Sequence, residues 1–409
     1  MSEKCLFVTT HYCPLVGGAQ TVYDALARSR PDDFAVLTGY IDYATGLPVD
    51  GWRHFDQSSP YRITRIPEMR PPMLMGKPGF LAKTISWLRA RLIWRRVSRA
   101  VLNEHAREGF QTICIGALDS LGWLVEPLRA NTSAKIVLYT HGEEISQIPY
   151  SQEAETRRGT YLRDADGVVA VSSFTRDLIM EKYGVDGSRI GLVSNGVDLA
   201  RFKKPIDATT RQKLGLTAGP LVLSLGRLVP RKGFDKLLEA WPEILASVPG
   251  AQLAIAGKGP LEADFADRAG AAEMQGSVTM LGHVVADLLP SLYATADLFV
   301  MPNRTMPDGD TEGFGLVFLE AAAAGTPSVA GRAGGAVDAV IDGTTGAFVD
   351  GENVAEIAET VANLLLDDVG RNALARAAKA HAETQCWAQK ADDFLAFIDR
   401  LPRLGGDAS

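Results

Sequence analysis

The chain has 409 residues, 46% hydrophobic and 22% charged, the proportions of a globular protein of two or three domains rather than a disordered or low-complexity chain. A formal net charge of −7 argues against a nucleic-acid partner, and the four cysteines show no CxxC pair or metal-ligand spacing. The net charge averages two unlike halves: residues 1–200 hold 23 basic and 22 acidic side chains, the remainder 19 and 27, and residues 53–107 carry 12 basic against three acidic.

The apolar run at the N-terminus is too short for a signal peptide, and no run of about 18 apolar residues follows. The expectation is a cytoplasmic chain with reduced thiols. Short β-rich runs then alternate with longer amphipathic ones, which predicts α/β layers around parallel sheets. Strands are predicted at 6–10, 35–37, 112–115, 136–140 and 167–171, then at 221–225, 252–256, 278–281, 298–301 and 328–330. Helices are predicted at 19–29, 234–247, 316–324 and 354–366. Residues 40–80 lack periodicity, are rich in Pro and Gly, and are expected to form an irregular insertion. The polar stretch 198–220, with Pro205, Gly215, Gly219 and Pro220, is the expected domain boundary. A last apolar-periodic segment covers 387–401, and the tail 405–409 is expected to fray.

Motifs with chemical content sit at the ends of predicted strands. Pro14-Leu15-Val16-Gly17-Gly18 follows the first. Paired glycines there let a phosphate approach the amides of the next helix, although a plain βα turn would look the same. No GxGxxG or GxxxxGK[ST] accompanies it, so a dinucleotide fingerprint and a P-loop are unsupported. Thr140-His141-Gly142-Glu143-Glu144 ends another strand and can turn His141 into a cleft, although a lone His is more often structural. Ser194-Asn195-Gly196-Val197-Asp198 closes the first half, as a ligand loop or a hinge turn.

In the second half, Gly226-Arg227-Leu228-Val229-Pro230-Arg231-Lys232-Gly233 directly follows strand Leu221–Leu225. Arg227 offers a bidentate fork and Lys232 a point charge at the edge where ligands of open α/β sheets bind. Together they would neutralise a departing diphosphate; a solvated basic loop is the plainer alternative. Gly257-Lys258-Gly259-Pro260 lines a base or ribose pocket or is a tight turn. Most informative is the run Asp310-Thr311-Glu312-Gly313-Phe314-Gly315-Leu316, continuing through Glu320 to Ala321. Gly313 and Gly315 free the backbone amides at a helix start, Phe314 and Leu316 included. Glu312 in the loop and Glu320 one turn into the helix supply carboxylates for vicinal hydroxyls of a sugar or ribose.

This constellation resembles the retaining glycosyltransferases of family 4, most strongly over residues 167–350. The carrying pieces are Asn195-Gly196-Val197-Asp198, Gly226-Arg227 with Lys232-Gly233, and Glu312-Gly313-Phe314-Gly315 with Glu320 in E-x7-E spacing. The resemblance implies the α/β GT-B fold, two Rossmann-like domains facing across a cleft. Residues 1–200 would bind acceptor, 201–385 would bind the nucleotide sugar, and 386–409 would cross back to the first domain. It implies that Arg227 and Lys232 hold the donor diphosphate and that Glu320 binds the donor ribose. Glu312 and the amides of Phe314 and Gly315 would hold the transferred sugar, which His141 also contacts, while Gly17 and Gly18 touch the diphosphate. Such enzymes retain anomeric configuration by a same-face path, in which the β-phosphate helps take the acceptor proton. Asp308-Gly309-Asp310 is not placed as a DxD metal motif, so no essential divalent ion and no cofactor beyond the nucleotide sugar are expected.

Met301-Pro302-Asn303-Arg304, the acidic loop and Gly334-Gly335-Ala336 resemble a subgroup of mannosyltransferases acting on phosphatidylinositol-type lipids. This makes GDP-mannose the leading donor and a lipid-linked or cell-envelope glycan the acceptor. UDP-sugar-dependent transferases of the same family share these motifs and stay open. The basic run 80–107, from Phe80 to Arg107, bears on the acceptor. Trp87, Leu88, Leu92, Ile93 and Trp94 interleave there with Lys83, Arg89, Arg91, Arg95, Arg96 and Arg99. This suits an anionic membrane surface, and a domain helix with a solvated basic face is the alternative. The expectation is peripheral attachment at the inner face of the plasma membrane. Two other readings are weighed: a sugar-nucleotide epimerase would turn over donor alone, and a sugar-binding protein would close on ligand without chemistry. A phosphorylase would need a longer chain and a lysine placed for pyridoxal phosphate.

Overall fold

The computed structural model describes residues 3–15, 17–71, 80–202, 206–274 and 276–404, with side chains in helix Phe80–Glu108 described from Ile85 onward. The tail 405–409 and part of the expected insertion and boundary segments lie outside the described residues. In the first half, β1 (Cys5–Val8), β2 (Phe34–Gly39), β3 (Arg62–Ile66), β4 (Thr112–Ile115), β5 (Lys135–Thr140), β6 (Gly167–Ala170) and β7 (Ile190–Leu192) pair in parallel. Their order is β3-β2-β1-β4-β5-β6-β7. In the second, β8 (Leu221–Leu225), β9 (Gln252–Ala256), β10 (Val278–Gly282), β11 (Leu298–Met301), β12 (Ser328–Gly331) and β13 (Gly346–Val349) are ordered β10-β9-β8-β11-β12-β13. Every residue of β1, β4, β9 and β11 is buried. Continuous apolar runs of this kind suit parallel strands covered by helices on both faces.

Both sheets run outward from a central pair, β1 with β4 and β8 with β11. That pair is the topological switch point, where the loops at the carboxyl ends diverge and leave a crevice. The loops after β1, β8 and β11 carry the glycine, Arg227–Lys232 and Glu312 motifs, so the topology gathers them at the switch points.

The insertion expected at 40–80 is more regular than the sequence suggests. It contains helix Trp52–Ser58 and β3, which extends the sheet beside β2 from Ala35↔Arg62 to Gly39↔Ile66. The arginines of β3 mask its strand character. Arg62 is neutralised by Glu104 and Glu108, and Arg65, almost fully buried, by Asp56 at 2.8 Å. Strands β7 and β13 were also unexpected; they are three and four residues long and each contains a glycine.

Helix Trp387–Arg400 packs on the first domain. Phe394 sits 5.6 Å from Phe7, 5.7 Å from Phe34 and 6.0 Å from Tyr139 between ring centroids. A Cβ on Gly191 would lie 2.5 Å from the Phe397 ring, so only glycine lets the helix approach β7 this closely. Arg30 and Asp392 pair at the rim.

Candidate active site

The second domain supplies most of the charge. After β8 the chain passes Arg227 and makes a short turn, Pro230–Lys232, closed by Gly233 at φ 73°. A Cβ on Gly233 would lie 1.9 Å from the carbonyl oxygen of Pro302, so the β8 loop rests directly on the β11 loop. Arg227 is exposed, and its guanidinium makes no hydrogen bond or ion pair among the described residues. Lys232 is buried and donates to Glu312 Oε2. Lys258 is exposed on the next loop, where its carbonyl accepts from Leu228 N at 3.0 Å.

The β11 loop is fixed before it reaches Glu312. Asn303 Nδ2 donates to Ala333 O at 2.9 Å, and Arg304 forks onto Asp235 at 2.9 and 2.8 Å. Asp310 accepts from Arg231 at 3.1 Å and from Gln147 at 3.0 Å. Gly315 caps helix Leu316–Ala324 without a side-chain hydrogen bond, so the first-turn amides keep donors for a ligand. The Phe314 ring is buried in the core, which leaves only its backbone for that role. Within the helix, Glu320 Oε2 accepts from Tyr293 Oη at 2.9 Å, and Arg201 stands 3.9 Å from Oε1. Burial raises the Glu320 pKa.

The first domain contributes an open helix start and a histidine. Gly17 caps helix Gly18–Ser29 with no side-chain bond. A Cβ on Gly18 would meet nothing within 4 Å, whereas one on Gly17 would lie 2.3 Å from Gln20 Oε1, so the helix start is open at Gly18 and covered by Gln20 at Gly17. His141 Nε2 lies 2.5 Å from Tyr23 Oη, which is also 3.0 Å from Gly116 O. The carbonyl can only accept, so Tyr23 donates to it, His141 Nε2–H donates to Tyr23, and Nδ1 remains an acceptor. Burial lowers the His141 pKa to about 4, and the ring is neutral near pH 7. Glu144 Oε1 accepts from His141 N at 2.7 Å, and burial raises its carboxyl to about 7. Asn195 is buried at the domain crossing beside Ser194, which accepts from Lys390 at 2.8 Å. The Asn195 Oδ1 is buried and has no hydrogen-bond partner among the described residues.

The domains touch. Ile148 N donates to Asp308 O at 2.8 Å, Ser173 Oγ to Asp338 at 2.8 Å, and Arg231 pairs with Glu143. Gly142, at φ 103°, lies against Gly313: a Cβ on it would fall 2.6 Å from the Gly313 Cα. These contacts bring the His141 loop and the Glu312 loop together.

At the carboxyl edge of β1–β3 is a cavity of about 230 Å³, lined by Thr10, Asp42, Tyr43, Glu68, Arg70 and Arg89 among others. His11 stacks on Tyr43 at 4.2 Å and pairs with Asp42 at 3.1 Å, and Arg70 lies 4.3 Å over Tyr43. On helix Phe80–Glu108, Ile93, Val97 and Val101 face the core while Ile85, Trp87, Leu88 and Leu92 are more than half exposed. Arg91 lies 4.8 Å over Trp87.

Two family models match: Glycosyltransferase Family 4 over residues 50–201 and Glycosyl transferases group 1 over residues 207–381. The chain is 35% identical over 374 residues to a GDP-mannose-dependent alpha-(1-6)-phosphatidylinositol monomannoside mannosyltransferase of Mycolicibacterium smegmatis, covering 88% of this chain and 89% of the relative. It is 31% identical over 412 residues to a GDP-mannose-dependent monoacylated alpha-(1-6)-phosphatidylinositol monomannoside mannosyltransferase of Corynebacterium glutamicum, covering 98% and 99%. The chain belongs to the family 4 glycosyltransferases. Its GT-B fold is shared with HepE of Anabaena in complex with UDP and glucose (TM-score 0.71, 21% identity, 96% and 98% covered). It is shared also with WaaG, a glycosyltransferase involved in lipopolysaccharide biosynthesis (TM-score 0.65, 16% identity, 98% and 100% covered).

This glycosyltransferase holds residues that its sequence did not single out. Tyr23 orients His141, Tyr293 orients Glu320, and Arg231 ties the two domains. Glu144 and Arg231 lie inside motifs read from the sequence, without a role of their own there; Tyr23 and Tyr293 lie in ordinary helices and carry no local signal.

Proposed function

We propose that the enzyme transfers mannose from GDP-mannose to a lipid-linked or cell-envelope glycan acceptor, with retention and without a divalent ion. The observation that carries this reading is the Arg227–Lys232 loop facing the uncapped helix start at Gly315, with Glu312 and Glu320 on either side of that turn. The diphosphate of a nucleotide sugar carries as much negative charge as Arg227 and Lys232 carry positive, and helix amides at Gly18 and Gly315 add partial charge to meet what develops as it leaves. That set stabilises the departing diphosphate by fixed charges, which is the main electrostatic demand of the step.

Glu320, held by Tyr293, accepts from the ribose hydroxyls. Lys232 turns from Glu312 toward phosphate when donor binds, which frees the Glu312 oxygens for sugar hydroxyls. His141, neutral with Nδ1 as acceptor, takes another sugar hydroxyl. As the anomeric bond to the β-phosphate lengthens, the acceptor oxygen approaches the same face and gives its proton to that phosphate. The cavity beside Asp42 and Tyr43 supplies charged and polar groups for a polyhydroxy acceptor. On helix Phe80–Glu108 the exposed Trp87, Leu88 and Leu92, with Arg91, Arg95, Arg96 and Arg99, which make no ion pair among the described residues, favour attachment to the inner face of an anionic membrane. No helix among the described residues is long and apolar enough to cross a bilayer.

The test is a thermal-shift panel of GDP, UDP, ADP and their sugars, followed by transfer assays with and without EDTA. Stabilisation by GDP-mannose and EDTA-resistant transfer with α-configured product are expected. Stabilisation by UDP-sugars alone, loss of activity in EDTA, or conversion of donor without acceptor would each overturn the corresponding part.

A further inference from the structure

Arg231 adjoins Lys232 in sequence but serves different partners. Its guanidinium is 11% exposed and meets Asp310 of its own domain at 3.1 Å and Glu143 of the opposite domain. Its carbonyl accepts from Arg304 N at 2.8 Å, which anchors it to the β11 loop. Around it the two loops lie backbone to backbone. A Cβ on Gly309 would sit 2.2 Å from Ser146 O, and one on Gly313 would sit 1.9 Å from His141 O. Opening the cleft would break Glu143–Arg231, Gln147–Asp310 and Ile148–Asp308 together: all three leave residues 143–148, two for the segment 308–310 and one for Arg231, which Asp310 and Arg304 tie to that same loop.

We propose that Arg231 is a positioning residue for the transfer step. It holds Glu143 and Asp310 at once and so keeps the segment bearing His141 in register with the segment bearing Glu312, without touching the donor. The role rests on the reading that His141 and Glu312 face the transferred sugar. Misplacing reacting groups by about 1 Å costs on the order of 10²-fold in rate, so a pin between the two loops acts on kcat.

Steady-state kinetics of Arg231→Ala, Arg231→Lys and Glu143→Ala test this. Arg231→Ala should lower kcat about 10²-fold with donor KM within about threefold. Arg231→Lys, which keeps a charge, should recover part of that loss. In a cycle with Glu143→Ala, the double variant should be no worse than Arg231→Ala alone. A raised donor KM at unchanged kcat would make Arg231 a donor ligand, and additive losses would remove the coupling; either result overturns the proposal. Small-angle scattering without ligand provides a second arm: Arg231→Ala should have a larger radius of gyration than wild type, and equal radii would refute the pin. If the wild-type enzyme transfers no sugar from any donor, the functional reading fails while the scattering arm still decides on Arg231.

Discussion

Lys232 donates to the carboxylate of Glu312 across the gap between the β8 and β11 loops, so the side chain expected on the diphosphate and the one expected on the sugar form one ion pair. Both are largely buried, at 10% and 12% exposure. Breaking a buried pair leaves one charge without compensation, at a cost of about 3–5 kcal/mol when the partner is removed. Lys232→Met and Glu312→Leu should each lower the denaturant midpoint and abolish transfer. The double variant should regain stability and stay inactive. Urea unfolding beside transfer assays separates the two effects; a double variant as unstable as the sum of the singles would contradict the pairing.

Glu144 and His141 oppose each other in their pH dependence. The carboxyl has its folded pKa raised to about 7, so the native state binds a proton that the unfolded chain releases, and stability falls as pH rises from about 4.5 to 7. The imidazole has its folded pKa lowered to about 4, so the unfolded chain binds the extra proton, and stability rises with pH from about 4 to 6.5. Relative to wild type, Glu144→Gln should gain stability as pH rises toward 7. His141→Phe should lose stability as pH rises from 4 to 6.5. Unfolding free energies at several pH values, expected to diverge by roughly 1–3 kcal/mol, check the signs.

Tyr293→Phe removes one hydrogen bond from Glu320 and leaves the ring in place. A loss of about 1 kcal/mol of stability is expected. If Glu320 grips the ribose, donor KM should rise several-fold with kcat little changed. An unaltered KM would show that Glu320 is held well enough without Tyr293.

Replacing Arg91, Arg95 and Arg99 with Glu inverts the charge of one exposed helix face. Each arginine near an anionic surface contributes about 1 kcal/mol, so vesicle binding should fall by at least 10²-fold. Co-sedimentation with anionic and neutral vesicles reads this. Equal binding of wild type and variant to anionic vesicles would remove the membrane role of the helix.

Much of the fold was legible because its elements are buried and regular. Helices Phe234–Ser247, Leu316–Ala324 and Val354–Leu366 stand at the residues that apolar periodicity assigns. Strands such as Thr112–Ile115 and Leu298–Met301 are buried throughout and mostly apolar. Strand β3 was missed because the charges of Arg62 and Arg65 are answered by Asp56, Glu104 and Glu108, which are distant in sequence. The same reason hid half of the site. Lys232, Glu312 and Glu320 lie in motifs, but the pairing of Tyr23 with His141 spans 118 positions and that of Arg231 with Glu143 spans 88. Local pattern has no access to contacts made by tertiary closure.

The chain crosses between domains twice, and the crossings are joined. Val197 on the outward passage donates from its backbone to Gln385 on the return at 2.8 Å, and Val197 bridges Cys386 in parallel. A single linker would leave the second domain free to swivel and twist. Two linkers bonded side by side resist torsion and leave bending about one line, like a door on two pins. The return helix is therefore a mechanical part, since it confines approach of the second domain to one arc. Severing the chain near residue 385 should leave both sheets folded and turn that directed swing into a wobble.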